Sequence, residues 1–99
     1  MAKIDVQRTD GRDDADVDRP YEFQVTVREG QRETRHHVTL KKADYERLSG
    51  GAADPDTLVA ESFRFLLERE SKESILRSFD LTVIGRYFPE YEREIAKRL

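Results

Sequence analysis

The two histidines of this chain, His36 and His37, are adjacent, and adjacency decides what they can do. Neighbouring side chains on an extended strand point to opposite faces, so the pair cannot chelate one metal ion together. His36 falls on the apolar face of its segment and His37 on the wet one. A hydrolytic role would require one of them beside a serine and an acid, and no G-x-S-x-G elbow supports that arrangement. Five aspartates, Asp10, Asp13, Asp14, Asp16 and Asp18, crowd a short stretch. Asp14-x-Asp16-x-Asp18 has the opening spacing of a calcium loop, which also needs glycine at its sixth position and glutamate at its twelfth. Arg19 and Val25 stand there instead, and the run reads as a solvated acidic loop. Gly50-Gly51 lacks the lysine and the leading strand of a phosphate-binding loop. No catalytic residue, metal or cofactor is assigned, and the chain is expected not to be an enzyme.

The densest apolar stretch is Ser78 to Tyr91, with aromatic residues around the Phe88-Pro89 break. Arg86, Tyr87, Glu90 and Tyr91 flank that break. Aromatic side chains and arginine beside a rigid bend are frequent anchors of protein interfaces, so these four residues are the candidate interaction site. The competing reading packs both tyrosines inside. Residues 72–88 also invite a helix-turn-helix reading, with Ile75 to Thr82 as first helix and turn. In that motif a buried aliphatic follows the turn hydrophobe by about five residues. Here Ile84 follows Leu81 by three, and Arg86 occupies the later position.

Composition sets the frame for these candidates. Ninety-nine residues support one domain, and 39 % charged against 36 % hydrophobic residues leaves a small core under a heavily solvated surface. The formal charge of −3 is spread without a strongly basic segment, which gives no broad phosphate-binding footprint. The absence of cysteine removes disulfides, thiolate metal sites and cysteine nucleophiles, and fits a reducing compartment. The segment Met1 to Val6 carries no apolar run of signal-peptide length, and nothing approaches the roughly 20 apolar residues of a membrane span. A cytoplasmic location is expected.

Tyr21 to Arg28 alternates apolar and polar residues, as does Glu33 to Leu40. Pairing Tyr21 with Leu40, Phe23 with Val38, Val25 with His36 and Val27 with Thr34 keeps apolar faces together, whereas a one-residue slip would oppose them to polar ones. An antiparallel hairpin follows, turning at Glu29 to Arg32. Ile4 and Val6 suggest a third, edge strand over residues 3–8, and Thr9 to Pro20 reads as a mobile polar loop. Residues 1–20 are thus expected to form a flexible acidic segment ahead of a domain spanning 21–99. Ala43 to Leu48 forms a short helix closed by glycine.

The clearest helix runs from Thr57 to about Glu70, with Asp54 as cap and Pro55 at its first position. Its apolar residues span roughly 200° of arc, more than a one-sided surface helix needs. The pattern therefore places it between the hairpin and the C-terminal segment. Ser71 and Asp80 can cap short turns. Leu81, Ile84 and Phe88 share a face, and Pro89 ends that helix and opens a last one to Leu99. There Tyr91, Ile95 and Leu99 form a stripe and Glu94 faces Arg98.

The run Phe63-Arg64-Phe65-Leu66-Leu67-Glu68-Arg69-Glu70, then Glu73-Ser74-Ile75-Leu76, Ser78-Phe79-Asp80-Leu81 and Arg86-Tyr87-Phe88-Pro89-Glu90-Tyr91, resembles the C-terminal half of a group of short bacterial proteins without assigned activity. The resemblance implies a bacterial origin and a self-contained small domain over about residues 40–99, and it transfers no site residue. The order of hairpin then helices also resembles, in layout alone, small antitoxin proteins.

The expected fold is α+β: an antiparallel β-hairpin, with a third N-terminal strand on offer, packed on a central helix and closed by a C-terminal helical pair. The expected core is Phe23, Val25, Val27, Val38, Leu40, Leu48, Val59, Phe63, Leu66, Ile75, Leu76, Phe79, Leu81, Ile84 and Phe88. The leading expectation for function is a small non-enzymatic protein-interaction module that self-associates, for instance as a dimer, or binds another protein. The alternative is a nucleic-acid-binding or antitoxin-like regulator using residues 72–88. No membrane partner is expected.

Overall fold

A computed structural model describes residues 2–9 and 19–99. The aspartates of the proposed acidic loop, Asp10 to Asp18, lie outside the described residues. Strands β1 (Lys3–Arg8), β2 (Tyr21–Glu29) and β3 (Arg32–Leu40) form an antiparallel meander, and a short strand β4 (Ser78–Asp80) adds to β3 in parallel. Helix α1 (Lys42–Ser49) and the central helix α2 (Pro55–Leu67) separate β3 from β4 in the chain. One-turn helix α3 (Ile84–Tyr87) and helix α4 (Tyr91–Arg98) close the molecule. The chain is therefore α+β with a four-stranded mixed sheet.

The hairpin takes the register that its apolar pattern selects: Tyr21 opposite Leu40, Phe23 opposite Val38, Val25 opposite His36 and Val27 opposite Thr34. The ladder continues one pair further than expected, to Glu29 opposite Arg32, leaving a two-residue turn at Gly30-Gln31. Gly30 takes φ 61°, the left-handed conformation that suits a tight hairpin turn to the twist of its strands. β1 pairs Ile4 with Val27 and Val6 with Val25, so the third strand forms at the sheet edge. Along β2 and β3 buried and more exposed residues alternate, so one sheet face is covered and the other meets solvent.

Helix α2 starts where its cap dictates, with the Asp54 carboxylate accepting from the Thr57 amide at 2.8 Å and Pro55 in the first position. The Thr57 side chain first, and then its amide, hold the Asp54 carboxyl below its ordinary value. The helix ends at Leu67, three residues short of the expected end. The Arg69 and Glu70 amides both turn back to the Leu66 carbonyl, at 2.9 Å each.

Its wide apolar arc is used from two directions. Phe63 meets His36 and Phe79 on the sheet side, at centroid distances of 5.3 and 6.0 Å. Phe65 meets Tyr91 and Phe88 on the C-terminal side, at 5.3 and 5.8 Å. Edge-to-face aromatic pairs of this kind add to simple burial. Above the Phe65 ring lies the Arg69 guanidinium, 3.6 Å from the centroid.

Several expectations are corrected here. Residues 75–80 do not form a helix. Ile75 to Arg77 is non-helical, with extended backbone at Ile75, and Ser78–Asp80 is a strand, because the Arg77 carbonyl accepts from the His37 amide at 2.7 Å and the chain continues along β3. The first helix of a helix-turn-helix is therefore replaced by a sheet edge. Leu76, expected in the core, is 47 % exposed, since an extended backbone turns it away from its buried neighbour Ile75. Phe79 and Phe88 are half-buried, packed on the core without being enclosed by it. Arg98 bonds Glu68 at 2.6 Å across to α2, in place of the expected Glu94 on its own helix. Helix α4 begins at Tyr91, so Pro89 and Glu90 form the turn before it.

Candidate functional site

An apolar groove of about 410 Å³ lies where the C-terminal end of α2 faces the segment from Ser74 to Phe88. Its lining includes the buried residues Leu66, Ile75 and Ile84. Phe79, Phe88 and Val83 line it while only partly covered. Leu76 and Tyr87 also line it, and they are the two large hydrophobic side chains exposed among the described residues, Tyr87 at 68 %. Both are solvated for a local reason. Leu76 lies on an extended segment between inward Ile75 and the strand. Tyr87 is the last residue of α3, and the next residue turns inward: Phe88 leaves helical geometry before Pro89, with φ −129°, and packs on Phe65.

Two polar side chains interrupt the apolar lining. Ser74 is bonded to Ser71 through their hydroxyls at 3.1 Å. Glu70 has no hydrogen-bond or ionic partner for its carboxylate among the described residues, and partial burial alone pushes its carboxyl above the ordinary value. The acids around it are satisfied: Glu68 by Arg98, Glu90 by Arg69 at 3.3 Å and Glu73 by Lys72 at 2.6 Å. Lys72 is itself buried, which is unusual for a lysine, and its ammonium also reaches Glu29 at 3.5 Å. Glu73 holds the Lys72 ammonium above its ordinary value, and the pair of acids ties this turn to the end of β2.

The four candidate interaction residues separate. Tyr87 lines the groove and is exposed, and the neighbouring Arg86 is exposed with no partner among the described residues. Glu90 is partly buried and engaged by Arg69. Tyr91 is fully buried and belongs to the core. Its hydroxyl donates to Ser62 Oγ at 2.7 Å, and Ser62 in turn donates to the Leu58 carbonyl at 2.7 Å. The direction follows because a carbonyl can only accept, so the serine proton goes to Leu58 and the tyrosine must supply the other. Enclosure pushes the Tyr91 phenol well above its ordinary value. The stripe spacing of Tyr91, Ile95 and Leu99 carried this signal. Glu70 and Leu76 gave none, because their role depends on where the chain leaves the helix.

His36 is buried with both ring nitrogens occupied: Nδ1 at 2.7 Å from the Leu76 carbonyl and Nε2 at 2.9 Å from Thr34 Oγ1. The carbonyl requires Nδ1 to donate, so in the neutral ring Nε2 accepts from the threonine hydroxyl. Burial first, and Arg77 nearby, hold His36 below its ordinary value, against the opposing pull of the Leu76 carbonyl. The ring is a satisfied core residue beneath Phe63. His37 is half-exposed on the other face, 3.3 Å from the Glu22 carboxylate.

A second, more open hollow of about 420 Å³ lies beside the hairpin, lined by Thr9, Gln24, Arg35, His36, His37 and Arg77. Among the described residues no group of three or more His, Cys, Asp or Glu is placed to hold a metal ion, and no helix is long and apolar enough to cross a membrane.

Fold and groove together define a small α+β domain with an apolar groove on its helical side. Comparison with known proteins gives no match to a protein-family model, a curated protein or a solved structure.

Proposed function

We propose that this protein is a non-enzymatic interaction module, and that the groove receives a protein segment carrying a large apolar side chain next to a cationic one. The observation that carries this reading is the unpaired Glu70 carboxylate in an apolar lining, beside exposed Leu76 and Tyr87. Apolar clefts with a few convergent polar groups are the usual form of recognition sites, the polar groups setting orientation. A cation from the ligand would give Glu70 the partner that it lacks among the described residues, and water exclusion by the apolar lining would strengthen the pair. For a nucleic-acid ligand, Arg77, Arg86 and Arg93 would have to act together. Arg77 lines the hollow beside the hairpin, while Arg86 stands next to the groove residue Tyr87.

A random peptide display selection on the immobilised protein tests the reading. Enriched peptides are expected to share an apolar residue adjacent to Arg or Lys, and to lose binding to Leu76→Asp and Tyr87→Asp variants. Enriched peptides indifferent to both substitutions, or no enrichment at all, would overturn it.

A further inference from the structure

The groove calls for an apolar anchor beside a cation, and the chain displays that pair on the same surface. Arg86 and Tyr87 are consecutive and exposed, and Tyr87 itself lines the groove. We propose that the occupant of the groove is a second copy of this chain, related by a two-fold axis, with Tyr87 of each copy seated in the groove of the other and Arg86 of each facing the other's Glu70. The inference rests on the groove reading above and specifies its partner.

Three observations carry it. A two-fold interface uses one patch twice, so anchor, hole, cation and anion must all lie together on it. Here they do, because Tyr87 and Glu70 line one groove and Arg86 is bonded directly to Tyr87. The charges also match. The neighbouring acids Glu68, Glu73 and Glu90 are engaged within the chain, as are the cations Arg69, Lys72 and Arg98. Among the described residues Glu70 and Arg86 have no partner, nor do Arg77 and Arg93, and of these three arginines Arg86 is the one joined to the anchor Tyr87. Finally, Tyr87 is held outward before any partner arrives, because Phe88 is drawn in against Phe65 and Pro89 stiffens the following turn. A pre-set anchor loses little freedom on docking. Tyrosine also suits the task, with an apolar ring to bury and a hydroxyl to leave wet.

Sedimentation velocity on the full chain across concentration, with charge reversal at both positions, tests the proposal. The wild-type protein is expected to dimerise reversibly. Glu70→Arg and Arg86→Glu are each expected to weaken the dimer by roughly tenfold or more, and the double variant to recover most of the loss, since the pair is then reversed and intact. Tyr87→Ser should abolish the dimer while leaving the circular dichroism spectrum of the fold unchanged. A wild-type protein monomeric up to about 1 mM, a range that would reveal even millimolar affinity, would overturn the proposal. So would a dimer unaffected by Tyr87→Ser, or a double variant no better than the singles. The groove reading fails separately: if displayed peptides still select the groove of a strictly monomeric protein, the groove stands and its partner is another protein.

Discussion

His36 and Glu70 are both pushed toward their neutral forms by burial, one downward as a base and the other upward as an acid. His36 sits between sheet and helix, each ring nitrogen bonded and the ring against Phe63. Glu70 sits in an apolar groove with its carboxylate unpartnered among the described residues. The sequence attracts attention to the histidine, which is the commoner catalytic residue. The structure reverses the emphasis. A buried polar group with all its bonds made is a piece of architecture, whereas a partly exposed carboxylate without a partner is where the proposed ligand would bind.

The sharpest way to break this contrast is to remove packing from each region. Phe63→Ala should destabilise the protein by about 3–5 kcal/mol in urea unfolding, as expected for an enclosed aromatic. Leu76→Ala in the groove should stay within about 0.5 kcal/mol. Equal losses would mean that the groove is part of the sealed core.

His36→Leu comes next. It strands the Leu76 carbonyl and the Thr34 hydroxyl, and the expected loss is about 1–3 kcal/mol by the same measurement. Ser62→Ala should fall in a similar range, about 1–3 kcal/mol, because it leaves the buried Tyr91 hydroxyl without its acceptor.

A pH series sharpens the comparison further. His36 has a folded-state value below its ordinary 6.5, so the unfolded chain binds the proton more readily. Its contribution to stability is complete above about pH 6.5 and is lost as the pH falls through the lowered folded value. Thermal unfolding of the wild type should therefore decline on acidification from pH 7 toward 5, and His36→Leu should be flatter over that window. Carboxylates held low by their partners, such as Asp54, add their own decline only at lower pH.

The smallest effect belongs to Glu70, with the opposite sign. Its raised value means that the folded state holds the proton longer, so ionisation costs stability as the pH rises past about 4.5. Glu70→Gln should slightly raise the melting temperature at pH 7 and abolish binding of cationic peptides. A lowered melting temperature would reveal a structural role for the carboxylate.

Sequence pattern reached the hairpin, its register, the edge strand and the cap of α2, because period-2 alternation and a capping aspartate are local signals. It reached the two-sided burial of α2 through the width of its apolar arc. It missed β4, since three residues are too few to show alternation and their pairing partner lies about forty positions away. Losing β4 also cost the placement of Leu76, which a helical reading turns inward and an extended one turns out. For the candidate site, Tyr87 and Arg86 stood out in sequence beside a proline break, and the structure leaves both exposed. Tyr91 was misjudged as an interface residue because its burial depends on Ser62 and Phe65, brought to it by the tertiary fold. Glu70 was invisible, because among the ten acids of residues 51–99 its place in the groove and its lack of a partner among the described residues emerge only from the tertiary fold.

The parallel strand β4 has a consequence for how the chain comes to be folded. β1, β2 and β3 join neighbours close in sequence, but β3 receives its last partner across a separation of 41 residues, where Thr39 bonds Asp80 at 2.8 Å. Pairings of such span form late, after the intervening chain has been ordered. During synthesis the outer edge of β3 therefore stands open until the ribosome has delivered the helices and the strand behind them. In that interval it offers unsatisfied backbone groups to any passing strand. The backbone of β4 closes that window over His37 to Thr39, and Asp80 secures it by accepting from both the Thr39 hydroxyl and the Thr82 amide.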